Sequence, residues 1–208
     1  MRKIILVTSI VAISSTSAFA QSDAAKKGSG FFVEPMVTYE KGTGDIKFPD
    51  PFGKADTKLE GFGVGARLGF HIYDSIFIGA DGRYSMPRYN DDSLSQKVNA
   101  TSWNYGPFVG IQTPTAIGLR VWGGYIMDGQ LDPDKDKNVN LRFSQGKGYR
   151  VGAGIRLGIT SVNLEFQDIT YDKTKVEEVG IFNTGYSSKD FDHQNTSWVV
   201  SVSFPFSL

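Results

Sequence analysis

The sequence contains no cysteine, and beyond its first twenty residues it has no apolar run of about 18 residues, the length that a transmembrane helix needs. Without cysteine there are no disulfide bonds and no lipid-modified cysteine anchor, so hydrogen bonding and packing must close the fold. The 22 basic residues balance the 22 acidic ones and form no basic tract, which argues against a nucleic-acid partner. Amphipathic helical spacing is nearly absent. Membrane-spanning β-strands are compatible with these absences, because each needs only about 10 residues of alternating character.

The N-terminal residues have the features of a signal peptide. Arg2 and Lys3 give a positive start, IILVTSIVAI is a short apolar segment, and Ala-Phe-Ala at residues 18–20 fits an A-x-A cleavage site. We therefore expect the mature chain to leave the cytosol. The predicted organisation is a signal peptide over residues 1–20, a short N-terminal extension over 21–30 and an outer-membrane β-barrel over 31–208.

Alternation of apolar and polar or small residues with a period of two appears in eight segments, as expected for β-strands. The segments lie within residues 31–40, 61–70, 76–86, 103–112, 117–128, 149–158, 162–167 and 198–207. The connections between them alternate in length. Long polar stretches cover residues 40–58, 87–99, 129–145 and 172–195, whereas short links lie near HIYDS, TPTA and TS. Long loops at one end and tight turns at the other are typical of bacterial outer-membrane barrels, so the pattern predicts an all-β, eight-stranded antiparallel up-and-down transmembrane barrel.

The composition of the two strand faces indicates which one meets lipid. The polar face is rich in glycine and serine with scattered charges, which suits the narrow interior of a small barrel. The apolar face carries valine, isoleucine, leucine and alanine, with aromatic residues near the strand ends, where aromatic girdles lie in membrane barrels. The predicted girdle consists of Tyr39, Phe70, Tyr84, Trp103, Tyr125, Tyr149, Trp198 and Phe206.

Charged residues on the polar face must point into the lumen, because an arginine facing lipid at mid-bilayer costs roughly 2–4 kcal/mol. Counting from the turns predicts a lower layer of Glu34, Arg67, Arg120, Arg156 and Glu165. A second set is predicted nearer the outer mouth, comprising Glu40, Asp81, Arg83, Asp128 and Arg150. Because each charge in a constricted site needs a partner, we predict that Glu34 pairs with Arg67 and Arg156 with Glu165, and that the lower layer blocks a continuous water path.

The strand and loop pattern resembles the small eight-stranded outer-membrane barrels of the OmpA transmembrane-domain, OmpX and opacity-protein type. The most motif-like segment is the C-terminal SWVVSVSFPFSL, which is similar to the alternating, aromatic-rich ending that the outer-membrane assembly machinery recognises in this family. The family ending is usually an aromatic residue, whereas this chain ends at Leu208 with Phe206 on the same face. The resemblance implies an interior of Arg–Glu pairs, for which Glu34, Arg67, Arg120, Arg156 and Glu165 are the matching positions.

The chemistry-bearing residues give little support for catalysis. His193 lies within a few residues of Asp190, Asp192 and Ser197, so a Ser-His-acid site in a lipid A-modifying barrel can be imagined, but no nucleophile motif accompanies it. The run LDPDKDKN lacks the glycine and terminal glutamate of a calcium loop, and neither a metal nor a cofactor is predicted.

The sequence therefore predicts a monomeric, non-enzymatic barrel in the outer membrane of a Gram-negative bacterium, with a polar, largely plugged lumen and a structural or surface-interaction role. Its expected partners are outer-membrane lipids, lipopolysaccharide and the outer-membrane assembly machinery. Three alternatives stay open: a narrow pore for small solutes, a soluble periplasmic lipid- or ligand-binding barrel with the apolar face inward, and a lipid A-modifying barrel enzyme.

Overall fold

The computed structural model describes residues 30–47, 54–73, 75–91, 97–115, 117–135, 139–179, 182–188 and 192–208, so the predicted signal peptide lies outside the described residues. Within these ranges the regular secondary structure is entirely β, and no helix is long and apolar enough to span a bilayer. The strands are β1 (Gly30–Lys47), β2 (Lys54–Ile72), β3 (Ile76–Asp91), β4 (Val98–Gln112), β5 (Ile117–Ile126), β6 (Asp128–Pro133), β7 (Val139–Leu157), β8 (Thr160–Val179), β9 (Phe182–Ser188), β10 (Asp192–Ser203) and β11 (Phe206–Ser207).

The strands form one antiparallel sheet that closes on itself. β5 and β6 both pair with β4 and with β7, so together they form one strand of the barrel, interrupted at Met127. β9 and β10 both pair with β8, while β10 and β11 pair with β1 and close the ring. The result is the predicted eight-stranded up-and-down barrel, in which a neighbouring strand satisfies the backbone hydrogen bonds of each strand.

The alternation of the sequence sorts side chains between the outside and the lumen as predicted. Outward-facing residues of the barrel wall are apolar and about half exposed, for example Val64 at 56% and Leu119 at 58%. Inward-facing residues of the same strands include Arg67 and Arg120, which are 0% and 2% exposed. An apolar exterior around a charged interior is the reverse of a soluble barrel, so the soluble periplasmic alternative is wrong.

The predicted long loops are largely strand, which corrects the sequence analysis. β1 continues to Lys47 and pairs along its whole length with β2, so most of residues 40–58 is hairpin. The same holds for residues 87–99, 129–145 and 172–195, where β3, β4 and β6 to β10 extend. Their polar character reflects an outer face that leaves the membrane and meets water, while apolar residues such as Ile46 and Leu59 point inward.

Tight turns connect the strands at the other end of the barrel. Leu157 pairs with Thr160 across a two-residue turn, in which Gly158 has a φ of 62°. A positive φ at the first central position is the requirement of a type II′ hairpin turn, which glycine meets without a steric cost. The short turns, the start of β1 and β11 therefore lie at the same end, which faces the periplasm in barrels of this kind.

Candidate functional site in the barrel lumen

A layer of charged side chains crosses the middle of the lumen. Its members come from inward positions of six different strands and have side chains that are at most a few per cent exposed. This central charged layer consists of Glu34, Arg67, Asp81, Arg83, Arg120, Arg150 and Glu165. Because the strands alternate strictly between lipid and lumen, these residue types can occupy only the inner face at this depth.

Two ion pairs of the central charged layer span the full width of the lumen. Arg120 on β5 donates from Nη1 and Nη2 to the two carboxylate oxygens of Glu34 on β1, at 2.9 and 2.8 Å. Arg83 on β3 donates from Nη2 to both oxygens of Glu165 on β8, at 2.8 and 2.6 Å. In the ring of eight strands, β1 lies opposite β5 and β3 lies opposite β8. Each pair therefore crosses the barrel axis, where a water path would have to run.

Arg67 joins the acidic residues of the layer into one network. Its guanidinium lies 3.0 Å from Asp81 Oδ2, 3.2 Å from Glu165 Oε2 and 3.5 Å from Glu34 Oε1. Its Cζ atom also lies 4.4 Å from the ring centroid of Trp122, a cation–π distance. Arg67 thus contacts three buried carboxylates, and none of them is exposed enough to be solvated by bulk water.

Asp81 bonds to three arginines of the layer, and Glu40 forms a separate buried site further out. Asp81 accepts hydrogen bonds from Arg67, Arg83 and Arg150, with the Arg83 bonds at 3.1 Å. Further out, Glu40 Oε1 accepts from Gln167 at 2.7 Å and from Ser197 at 2.6 Å.

Most predicted lumen charges come together, but the two predicted layers do not stay separate. Asp81, Arg83 and Arg150 were expected near the outer mouth, whereas they bond within the same layer as Glu34 and Glu165. Counting residues from the turns ignores the tilt and stagger of barrel strands, which place residues of different count at the same depth.

Arg156 and Asp128 lie outside the central charged layer. Arg156 faces Ser161 in the β7–β8 ladder, whereas Glu165 faces Gly152, four residues further from the turn. The ladder separates Arg156 from Glu165, which accepts hydrogen bonds from Arg83 and Trp122 and forms an ion pair with Arg67. Asp128 is half-buried, and its Oδ1 accepts from the backbone N–H of Gly129 at 2.9 Å.

An aromatic layer fills the lumen on the periplasmic side. It consists of Phe32, Phe77, Phe108 and Trp122, which are 0%, 0%, 3% and 5% exposed. His71 packs against Phe32 in a tilted arrangement, with ring centroids 4.6 Å apart. Trp122 Nε1 donates to Glu165 Oε2 at 3.0 Å, which ties this layer to the charges above it. This layer was not predicted from the sequence. Its four residues lie on the face that was expected to carry polar and small side chains.

An apolar cluster fills the lumen at the outer end. It consists of Ile46, Leu59, Tyr89, Ala100, Ile126, Leu131, Phe143, Ile169 and Tyr171. Most of these residues lie in or beside the stretches predicted as loops, although Ile46 and Leu59 alternate with charged neighbours in a recognisable strand pattern. The prediction of a polar lumen is thus correct only for the middle, because apolar layers close both ends.

His193 packs against aromatic residues of the outer apolar cluster. It is 1% exposed, and its ring centroid lies 4.5 Å from that of Phe143 and 5.6 Å from that of Tyr171. The hydroxyl of Ser197, the imagined nucleophile, donates to Glu40. Asp190 and the side chain of Asp192 lie outside the described residues. Among the described residues, no cluster of histidine and acidic side chains could hold a metal ion.

The eight predicted girdle residues all lie on the outer surface. Tyr39 and Trp103 are partly buried, and the exposed fractions of the other six range from 39% for Phe206 to 56% for Phe70. Six lie toward the outer end of the wall, namely Tyr39, Tyr84, Trp103, Tyr125, Tyr149 and Trp198, while Phe70 and Phe206 lie toward the turns. Amphipathic aromatic rings at these levels are typical of membrane–water interfaces.

A closed antiparallel ring with an apolar, aromatic-belted exterior and a charged interior defines an outer-membrane β-barrel. Comparison with known families agrees: the model described as outer membrane protein beta-barrel domain matches residues 7–206, so the chain belongs to this family. The family places the chain in the outer membrane of a Gram-negative bacterium. No curated protein matches the sequence.

Similar solved structures include outer-membrane and surface proteins. The outer membrane protein OprG from Pseudomonas aeruginosa is 12% identical, with 88% of this chain and 98% of that chain covered and a TM-score of 0.51. Neisserial surface protein A is 13% identical, with coverages of 86% and 99% and a TM-score of 0.44. The outer membrane protease OmpT from Escherichia coli is 8% identical, with coverages of 86% and 97% and a TM-score of 0.45. At these identities the resemblance concerns the fold alone.

Proposed function

We propose that this chain is a non-enzymatic barrel with a closed lumen, which supports the outer membrane and interacts with other molecules through its outer hairpins. The supporting observation is that three layers of buried side chains occupy the lumen. The aromatic layer, the central charged layer and the outer apolar cluster follow one another along the axis, and the Arg120–Glu34 and Arg83–Glu165 pairs cross it.

The lumen filling argues against the narrow-pore alternative. An ion crossing the barrel would have to break a bidentate charge pair and pass two layers of buried aromatic and aliphatic side chains. The environment of His193 argues against the enzyme alternative, because Ser197 is bonded to Glu40 and the imidazole is enclosed by aromatic rings. A catalytic pair needs a nucleophile within hydrogen-bond reach of its base.

The outer hairpins are the surface that a partner would meet. β1 continues for eight residues beyond the girdle residue Tyr39, from Glu40 to Lys47. At about 3.3 Å per residue, this is roughly 25 Å along the strand. The outer apolar cluster inside the hairpins makes them a rigid extension of the barrel. Export by a cleaved signal peptide over residues 1–20, insertion by the assembly machinery and a monomeric state belong to the same proposal.

Conductance measurement tests the closed lumen. We expect the folded barrel, inserted into planar bilayers, to give no stepwise current under conditions in which a general porin in the same bilayers conducts. Heat-modifiable migration of the same sample shows that the inserted protein is folded. Stable, reproducible current steps from the folded wild-type barrel would support the narrow-pore function instead.

A further inference from the structure

Basic side chains gather on one side of the barrel, immediately beyond the outer aromatic residues. In the strand register, Tyr39 on β1 faces Phe62 on β2, which faces Met86 on β3. Two residues further out, the corresponding row is Lys41, Glu60 and Arg88. One step beyond that, Lys58 faces Thr43 and Asn90, and Lys97 precedes β4. We call Lys41, Lys58, Arg88 and Lys97, all exposed and outward-facing, the basic patch.

The basic patch has one acidic neighbour in its midst. Glu60 lies within electrostatic range of Lys41, Lys97 and Arg88, so it is shared among three cations. Its Oε1 also accepts a hydrogen bond from the Tyr39 hydroxyl at 2.7 Å. Asp45 and Asp56 face each other one step beyond Lys58, so the positive charge is concentrated around Lys41, Arg88 and Lys97, which share Glu60. This part of the surface attracts an anionic group.

Two cations on the opposite side of the barrel are each paired with a carboxylate. Lys147, two residues beyond the girdle residue Tyr149, lies 3.0 Å from Asp172, and Arg142 lies 3.0 Å from Asp132. Among the described residues, these two pairs contrast with Lys41, Arg88 and Lys97, which share Glu60.

The depth of the basic patch matches the phosphate level of the outer leaflet. Tyrosine and other amphipathic aromatic residues lie at the headgroup level, and the patch begins two residues, or about 7 Å, further out. Below it, Phe62 and Met86 are 69% and 64% exposed toward lipid, where acyl chains would pack. The wall thus presents apolar, aromatic and cationic groups in the order in which a phosphorylated lipid presents its parts.

A polar cleft adjoins the basic patch on the side of β10. Its volume is about 430 Å³, and its lining includes Thr43, Asp45, Asp56, Lys58, Gln194 and Thr196. Hydroxyl, carboxylate and amide groups together can donate to and accept from sugar hydroxyls. Thr43 and Lys58 belong to both the cleft and the row beside Lys41, so one headgroup can reach phosphate-binding and sugar-binding groups at once.

We propose that the β1–β4 side of the barrel binds the phosphorylated sugar headgroup of lipopolysaccharide, with the basic patch contacting its phosphates and the polar cleft contacting its sugars. The binding surface rests on the proposed surface-interaction role and names its partner, but it does not depend on whether the lumen conducts. The attraction would be between exposed cationic side chains and lipid phosphates. Because salt screens exposed charges, the affinity should fall as the salt concentration is raised.

Titration with purified lipid A tests the proposal. The full folded chain in phosphatidylcholine nanodiscs is titrated with bisphosphorylated lipid A, in the presence of a chelator so that divalent cations cannot bridge phosphate to Asp45. We expect saturable binding that is about fivefold weaker for each patch cation removed, and about 25-fold weaker for the K41Q/R88Q double variant. Enzymatically dephosphorylated lipid A should bind weakly, with no difference between wild type and variant.

Lys147→Gln is the matched control, because it removes a lysine at a similar height that is already paired with Asp172. Heat-modifiable migration shows that each variant is folded. Unchanged affinity in K41Q/R88Q, an equal loss in K147Q, or equal binding of dephosphorylated lipid A would each overturn the proposal. A conducting wild-type barrel would contradict the closed lumen but would leave this result unaffected.

Discussion

Arg67→Ala is expected to lower the free energy of unfolding by about 3–5 kcal/mol, the cost of removing one partner from a buried ion pair. Arg67 is 0% exposed and lies against Glu34, Asp81 and Glu165. Removing it leaves these buried carboxylates short of a cationic partner, and Arg83, Arg120 and Arg150 already donate to them. Denaturant unfolding in detergent micelles, followed by heat-modifiable migration, measures the change.

Two further variants separate the charge of Arg67 from its geometry. Arg67→Lys keeps the charge but loses the planar fork and the stacking on Trp122, so we expect an intermediate loss. Arg88→Ala removes an exposed arginine from the outer surface and should change stability by less than about 0.5 kcal/mol in the same micelles. A loss for Arg67→Ala as small as that for Arg88→Ala would show that the central charged layer does not hold the barrel together.

Phe143→Ala is expected to cost a similar amount, about 3–5 kcal/mol, because it opens a cavity in the outer apolar cluster. Phe143 is 0% exposed, its ring lies near those of Tyr89, Tyr171 and His193, and it faces Leu131 across the β6–β7 contact. The register of β6 and β7 contains the single pair Leu131 and Phe143, so side-chain packing is the main contact between these two strands. Equilibrium unfolding in micelles gives the change in free energy.

Phe62→Ala is the matched control for Phe143→Ala. Phe62 is 69% exposed on the outer wall, where detergent or lipid fills the space that its ring leaves, so the loss should be clearly smaller. Equal losses at the two positions would mean that residues 129–145 behave as the loop that the sequence analysis predicted, without a packed interior.

The sequence predicted the barrel because its strands have two chemically different environments. Alternation alone placed Glu34 and Arg67 in the lumen and Val64 and Leu68 outside, and the structure agrees at each of these positions. This inference is robust because a shift of one residue would move every side chain of a strand to the other face.

The pairing of the lumen charges was harder to predict. The predicted ion pair of Glu34 with Arg67 is present at 3.5 Å, but the bidentate partner of Glu34 is Arg120, on the opposite side of the ring. The bidentate partner of Glu165 is Arg83. Such contacts depend on the stagger of strands around the barrel, which local sequence does not encode. The outer apolar cluster left a readable signal, since Ile46, Leu59 and Phe143 alternate with polar residues, but turn-forming neighbours obscured it.

Cysteine labelling tests the closed lumen most directly, because the native sequence contains no cysteine to interfere. Ser201 is 2% exposed inside the barrel and accepts a hydrogen bond from Asn163, whereas Thr43 is exposed on the outer surface. A membrane-impermeant maleimide should label Thr43→Cys in the folded barrel and should label Ser201→Cys only after heat unfolding. Rapid labelling of Ser201→Cys in the folded, membrane-inserted barrel would show that water reaches the middle of the lumen and would contradict the account.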